Sequence, residues 1–308
     1  MNKLNVFCFG FGQVAENFIK KLKTEKIPFQ LTTTSREETK SKNFEDINYQ
    51  SFHFDEEKFD NNLIKHLEEA DHILISIAPV NGDDIVIKNF KERFNDKKFK
   101  WITYLSATSV YGDHGGEWVD EKSKTNPTSI NGIERLKAEQ SWMKLAQKNN
   151  LPLQIFRLSG IYSNQYNVLK RLKTGEAKII NKKNHFFSRI HVEDIASALF
   201  KSLDNFKKGE IYNISSGNEY KNIEIVKMIL QIMDKDDSLI DYVEDRPGHD
   251  TRYSLDSSKL MEKTGWKPNS NFKEAIKETV NWYLKNELWW RPISSEQVLH
   301  PSSWKLKW

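Results

Sequence analysis

Short apolar runs alternate with segments of helical period through the first two-thirds of the chain. The apolar run Asn5–Phe9 predicts a strand, and Val14, Phe18 and Leu22 recur at helical spacing, which predicts a helix over Gln13–Lys23. Strands are predicted at Phe29–Thr33 and Tyr49–Phe54, then a helix over Asn61–Glu69 with Leu63, Ile64 and Leu67 on one side. The run His72–Ala78 is apolar almost throughout, as expected for a parallel strand covered on both faces. Helices over Asp84–Phe94 and Gly132–Lys148 and strands at Trp101–Ser106 and Leu153–Leu158 continue the series. Repeated βα units of this kind imply an α/β fold with a doubly wound parallel sheet.

Beyond Leu158 the pattern loosens. It predicts helices over Gln165–Lys173, Glu193–Asn205, Ile223–Met233 and Phe272–Leu284, with a strand at Glu210–Ile214. Asp256 is a candidate N-cap for a helix over Ser257–Lys263, which Gly265 and Pro268 would close. The stretch Trp289–Trp308 has no period and reads as a surface-packed tail or a partner contact.

The 308 residues are 38% hydrophobic and 29% charged, an ordinary globular balance. Lys and Arg number 47 against 43 Asp and Glu, a net charge of +4 without a concentrated basic stripe, so nucleic acid is not an expected partner. Cys8 is the only cysteine, which excludes an internal disulfide and fits a reducing compartment. Its apolar neighbours Phe7 and Phe9 predict a buried structural thiol. The first apolar run is too short for a signal peptide, and no run approaches the ~18 apolar residues of a membrane span. A cytoplasmic protein is expected.

The candidate chemistry begins at Gly10-Phe11-Gly12-Gln13-Val14-Ala15, a G-x-G-x-x-A motif between a predicted strand and helix. Gly10 permits a tight turn, Gly12 lets a diphosphate approach the backbone, and Ala15 keeps the helix close to the sheet. This is the fingerprint of a dinucleotide-binding Rossmann domain. NAD-binding versions carry an acidic residue about 20 positions on, which accepts the ribose 2′-hydroxyl. Here the second strand ends in Thr32-Thr33-Thr34-Ser35-Arg36, and Thr34, Ser35 and Arg36 suit a 2′-phosphate. NADP is therefore the expected cofactor, with NAD as the alternative because Glu37 and Glu38 follow at once. Asp55 would contact adenine or serve as a helix N-cap, and Ala78 lies at the end of the fourth predicted strand on the cofactor side.

Three further segments carry a family resemblance: Leu105–Gly112 (LSATSVYG), Arg157–Tyr162 (RLSGIY) and Arg189–Ala196 (RIHVEDIA). With Tyr212-Asn213-Ile214, they resemble the extended short-chain dehydrogenase/reductase superfamily, the NAD-dependent epimerase/dehydratase group. The front of the chain is similar to its atypical branch. From near Gly217–Asn222 onward, Tyr242–Tyr253 with its Arg-Pro-Gly-His, Gly265–Pro268 and Thr279–Leu284 resemble nucleotide-diphosphoglucose 4,6-dehydratases.

The resemblance implies a Ser/Thr-Tyr-Lys triad, and this sequence departs from it: Ala107, Asn131 and Arg135 stand at the three positions. Asn cannot transfer a proton, whereas Arg135 still suits ribose binding. Ser106, Thr108 and Tyr111 are the candidate substitutes, with Ser109 also near the empty hydroxyl position and His114 and Tyr162 behind them; packing is the alternative role for the tyrosines, and solvation for His114. Arg246, with His249 beside it, is implied to hold the substrate's diphosphate, unless it forms a plain surface ion pair. The second phosphate-binding arginine of the family falls on Phe187, and Arg189, two residues along the same strand face, is a compensating candidate.

The resemblance further implies a Rossmann domain over residues 1–158 plus 186–214. A smaller α/β substrate lobe over 159–185 plus 215–290 and a tail at 291–308 would complete the chain. It implies a homodimer through the helices near Asp84–Phe94 and Gly132–Lys148, and a nucleotide-linked sugar as the small-molecule partner. Two functions fit: an NAD(P)-dependent epimerase, dehydratase or reductase working by hydride transfer, or a non-catalytic NADP(H)-binding sensor. No metal site is expected.

Overall fold

A computed structural model describes residues 3–95, 99–163, 177–180, 186–243 and 252–286. The predicted helix Gln165–Lys173, the residues Arg246 and His249, and the tail lie outside the described residues. The chain opens with β1 (Leu4–Phe9), α1 (Gln13–Thr24), β2 (Phe29–Ser35), β3 (Lys40–Phe44) and β4 (Ile47–His53). It continues with α2 (Leu63–Glu69), β5 (His72–Ile75), α3 (Ile85–Phe90), β6 (Trp101–Ala107), β7 (Trp118–Val119), α4 (Ile130–Asn149) and β8 (Leu153–Leu158).

These strands other than β7 build an eight-stranded sheet with β12 (Ile211–Ile214) at one edge, in the order β12-β8-β6-β5-β1-β2-β4-β3. Every pairing in it is parallel except that of β3 with β4. The order reverses between β1 and β5, which makes that crevice the switch point where such sheets bind ligands.

Side chains alternating along β1 explain why both faces are covered. Val6 and Cys8 join α1 in one apolar layer, where Phe18 stacks on Trp101 with centroids 5.6 Å apart. Phe7 and Phe9 face the opposite layer with α2, α3 and α4, which closes around Trp142. The Trp142 indole N–H donates to Asp84, whose carboxylate also caps α3 by accepting from the N–H groups of Val86 and Ile87. Cys8 is fully buried, and burial pushes its thiol pKa up.

Two elements differ from expectation. The strand predicted over His72–Ala78 ends at Ile75, because the Ser76 hydroxyl turns back and donates to the carbonyls of Phe9 and Gly10. The strand β3 was not expected at all. Its sequence, KSKNF, is a polar edge strand, and its hairpin turn is Glu45-Asp46, both at positive φ (48° and 64°), rather than the usual Asn-Gly.

The remainder forms the smaller lobe: β9 (Gly160–Tyr162), β10 (Ala177–Ile180), β11 (Phe186–His191), β13 (Glu219–Lys221), α6 (Asn222–Ile232), β14 (Ile240–Val243), β15 (Arg252–Leu255), α7 (Ser258–Thr264) and α8 (Phe272–Lys285). A sheet runs β13-β11-β15-β7, with β9 also paired to β11, while β10 pairs with β14. Thus β11 belongs to this small sheet, and the chain rejoins the large layer at α5 (Val192–Asp204), which packs with α1. The faces of α6 and α8 meet around Tyr162, Leu230 and Val280.

The lobe leans on α5 through buried Asp194. Its carboxylate accepts from the N–H groups of Asn269 and Ser270, and the Trp266 indole donates to its carbonyl. Helix α7 starts one residue later than expected: Asp256 accepts from the Ser258 N–H, which leaves Ser257 as the cap, while Gly265 closes the helix at φ 67°. Among the described residues, no helix is long and apolar enough to cross a membrane, and no cluster of His, Cys, Asp and Glu could hold a metal ion.

Candidate dinucleotide site and active centre

The glycine loop sits at the switch point between β1 and α1. Gly10 adopts φ +83°, and a Cβ there would lie 2.8 Å from the Ser76 hydroxyl oxygen. Gly12 caps α1 in an extended conformation with no side-chain cap, and a Cβ built on it would meet nothing within 4 Å. Open space therefore lies beside Gly12, at the N-terminal end of α1. Ala15 is fully buried, which keeps α1 against the sheet.

The loop is pinned from two sides. The Gly10 N–H donates to Thr34 Oγ1 at 2.9 Å, and Phe11 packs on Tyr49 and Phe44 with centroids 5.1 and 5.5 Å away. The Ser163 hydroxyl also donates to Gln13 Oε1 at 2.5 Å. Ala78 is exposed, two residues past the serine that touches Gly10.

The predicted phosphate-selecting residues divide in role. Thr34 is buried and holds the loop, and Ser35 accepts a hydrogen bond from Ser51 at 3.2 Å. Arg36 is exposed and pairs with Glu56 at 3.1 Å. Asp55 accepts from the N–H groups of Lys58 and Glu57, which hold its carboxyl below the usual range and commit it to a turn. Glu37 is engaged by Lys40 at 2.7 Å and Lys42 at 3.1 Å, and hydrogen bonds from those ammoniums lower its pKa to about 2.

The triad positions lie where β6 meets the start of α4. Ala107 ends β6, Asn131 is exposed in the first turn of α4, and Arg135 sits one turn later. The Arg135 guanidinium donates to the Leu105 carbonyl at 2.9 Å. Gly132 allows this close approach, since a Cβ there would fall 2.3 Å from the Ser109 carbonyl.

Of the proposed substitutes, Thr108, Ser109 and His114 are partly exposed. Ser106 is buried and donates to Glu139 at 2.5 Å; Tyr111 is buried and donates to Asn213 at 2.7 Å. Both hydroxyls are thus committed to structural partners. His114 donates from Nε2 to the Lys124 carbonyl, and Tyr162 is wedged between His191 and Phe272, where burial pushes its hydroxyl pKa up.

Sequence reasoning missed the charged core beneath this corner. Glu139 on α4 and Arg157 on β8 form a buried ion pair at 2.7 Å, and the Arg157 guanidinium lies 4.8 Å from the Tyr111 ring centre. Burial is the largest influence and disfavours the Arg157 charge, but the Glu139 hydrogen bonds, its negative charge and Tyr111 together outweigh it and raise the arginine's pKa. A charge inside the apolar run LQIFRL was the available signal, because a buried guanidinium requires a partner. On the lobe side, Arg189 is half-buried, with Nη2 donating to Asn222 at 3.2 Å and its guanidinium over Gly160.

A family model, GDP-mannose 4,6 dehydratase, matches residues 86–279, well over half of the chain. The chain belongs to that family. It is a member of the NAD-dependent epimerase/dehydratase group of extended short-chain dehydrogenases/reductases, similar to dTDP-glucose 4,6-dehydratases over most of its length. A probable dTDP-glucose 4,6-dehydratase of Sinorhizobium fredii is 29% identical over 269 residues, covering 77% of this chain and 76% of that protein.

The dTDP-glucose 4,6-dehydratase of Shigella flexneri is 31% identical over 235 residues, 68% of this chain and 65% of that one. Among solved structures, the Bacillus anthracis dTDP-glucose 4,6-dehydratase in complex with NAD superposes with a TM-score of 0.80 at 23% identity, covering 94% of this chain and all of that one. A conserved protein of unknown function from Silicibacter pomeroyi gives 0.73 at 25% identity, covering 91% of this chain and 99% of that one. The Rossmann sheet with its smaller lobe is the architecture of this dehydratase family.

Proposed function

We propose that this family member is an NADP(H)-dependent enzyme acting on a nucleotide-linked sugar, working as a cytosolic homodimer paired through α3 and α4. The observation that carries the cofactor assignment is the glycine loop: strained Gly10 against Ser76, open space at Gly12, and β2 fastened to the loop by Thr34. A bound nicotinamide supplies or accepts a hydride at the sugar carbon. The α1 N-terminus receives the diphosphate, and Arg36 the 2′-phosphate. Arg135 takes the ribose role of the missing lysine, and Thr108, with Ser109 beside it, supplies a hydroxyl to face the reacting sugar oxygen. Arg189, with Arg246 and His249, binds the substrate's diphosphate.

A second reading, a non-catalytic NADP(H) sensor, is favoured by Asn131 standing at the proton-transfer position. Incubating the full chain with a panel of nucleoside-diphosphate sugars and either nicotinamide nucleotide separates the two. The enzyme reading predicts a new sugar product by mass spectrometry with at least one substrate. Tight NADPH binding without product from any of them would establish the sensor instead.

A further inference from the structure

The unexpected strand β3 places two lysines beside Glu37, one of the two acidic residues that could favour NAD. Glu37 lies one residue past Arg36, in the region from which an acidic side chain accepts the adenosine ribose hydroxyl in NAD-binding relatives of this fold. Its carboxylate is instead gripped by Lys40 at 2.7 Å and Lys42 at 3.1 Å, both presented by β3. The hairpin that carries them is not a remote flap. Phe11, between the two loop glycines, packs on Phe44 of β3 and Tyr49 of β4, so the hairpin and the glycine loop form one unit. Arg36 is partly offset by Glu56 at 3.1 Å, so it does not decide coenzyme choice alone.

We infer that Lys40 and Lys42 are the specificity-determining residues for the coenzyme: they hold Glu37 away from the adenosine ribose and give a 2′-phosphate two ammoniums to share. This rests on the NADP(H) reading above and names the residues that enforce it. A 2′-phosphate brings more negative charge and more acceptor oxygens than one carboxylate, so it competes with Glu37 for the lysines. A ribose diol brings no charge and gains only if Glu37 is released.

The test is equilibrium binding of NADPH and NADH to the full chain, wild type and variants, at low ionic strength. In Lys40→Gln/Lys42→Gln, the preference for NADPH over NADH falls on the order of tenfold, from weaker NADPH and stronger NADH binding. Glu37→Gln frees both ammoniums, so NADPH binding strengthens severalfold while NADH binding does not. Raising the salt shrinks the wild-type preference, as screening of exposed charges requires.

Glu37 and Lys40 are exposed and Lys42 is half-buried, and matching thermal unfolding of each variant to wild type verifies the fold. A wild-type preference for NADPH that survives unchanged in both variants would overturn the role of the lysines and leave the NADP(H) reading intact. Failure of the wild type to bind either nucleotide would overturn that reading and this inference together.

Discussion

Gly10 and Gly12 stand two residues apart and are required for different physical reasons. At Gly10 the backbone holds φ +83° and a Cβ would press on Ser76, so Gly10→Ala strains the fold by about 1–3 kcal/mol. At Gly12 a side chain would point into open space. Gly12→Val therefore unfolds at nearly the wild-type temperature but weakens NADPH binding at least roughly tenfold, because it fills the diphosphate's position. Thermal unfolding and nucleotide titration of the two variants side by side measure this split. Equal loss of stability in both would contradict the distinct roles assigned to them. Other residues predicted for the site separate in the same way: Thr34 supports the loop, Arg36 faces solvent, and the hydroxyls of Ser106 and Tyr111 are bound to buried neighbours.

Among the elements, those with strong apolar periodicity were legible. Strand β1, helix α1 and strand β8 fall where the pattern places them, and the turn between β1 and α1 carries the motif its geometry requires. Strand β3 was illegible because an exposed, lysine-rich edge strand has no apolar face, and its turn uses Glu-Asp where Asn-Gly is the usual signal. The resemblance grouped residues 186–214 with the Rossmann domain; the partners of strand β11 in the fold, β9, β13 and β15, are supplied by pairing that no local pattern reveals.

The link between α4 and β8 was hidden for the same reason, since Glu139 and Arg157 are 18 residues apart and meet only in the folded chain. That pair joins α4, β6 and β8 under the active corner. Glu139→Gln leaves the Arg157 charge buried without its counter-ion and costs about 3–5 kcal/mol in urea unfolding. Replacing both residues by leucine recovers much of that loss, as for other buried pairs exchanged for apolar side chains. A loss under about 1 kcal/mol for the single change would contradict the bond's place in the core.

For the whole molecule, the sheet order puts the β1–β5 switch point, the open glycine loop and the start of β3, with Lys40, at one end of the parallel strands. The lobe leans on α5 through Asp194. Family membership and the likeness in fold agree with this arrangement, and Ala107, Asn131 and Arg135 stand where the family resemblance implies a proton relay. The function proposed for it depends first on whether that end of the sheet takes up a nicotinamide dinucleotide. The direct measurement is titration of the purified, folded chain with NADPH and NADH at low salt, followed by quenching of its tryptophan fluorescence. Saturable binding of NADPH, tighter than that of NADH and lost in Gly12→Val, is the predicted result. A folded wild-type chain that saturates with neither nucleotide would contradict it.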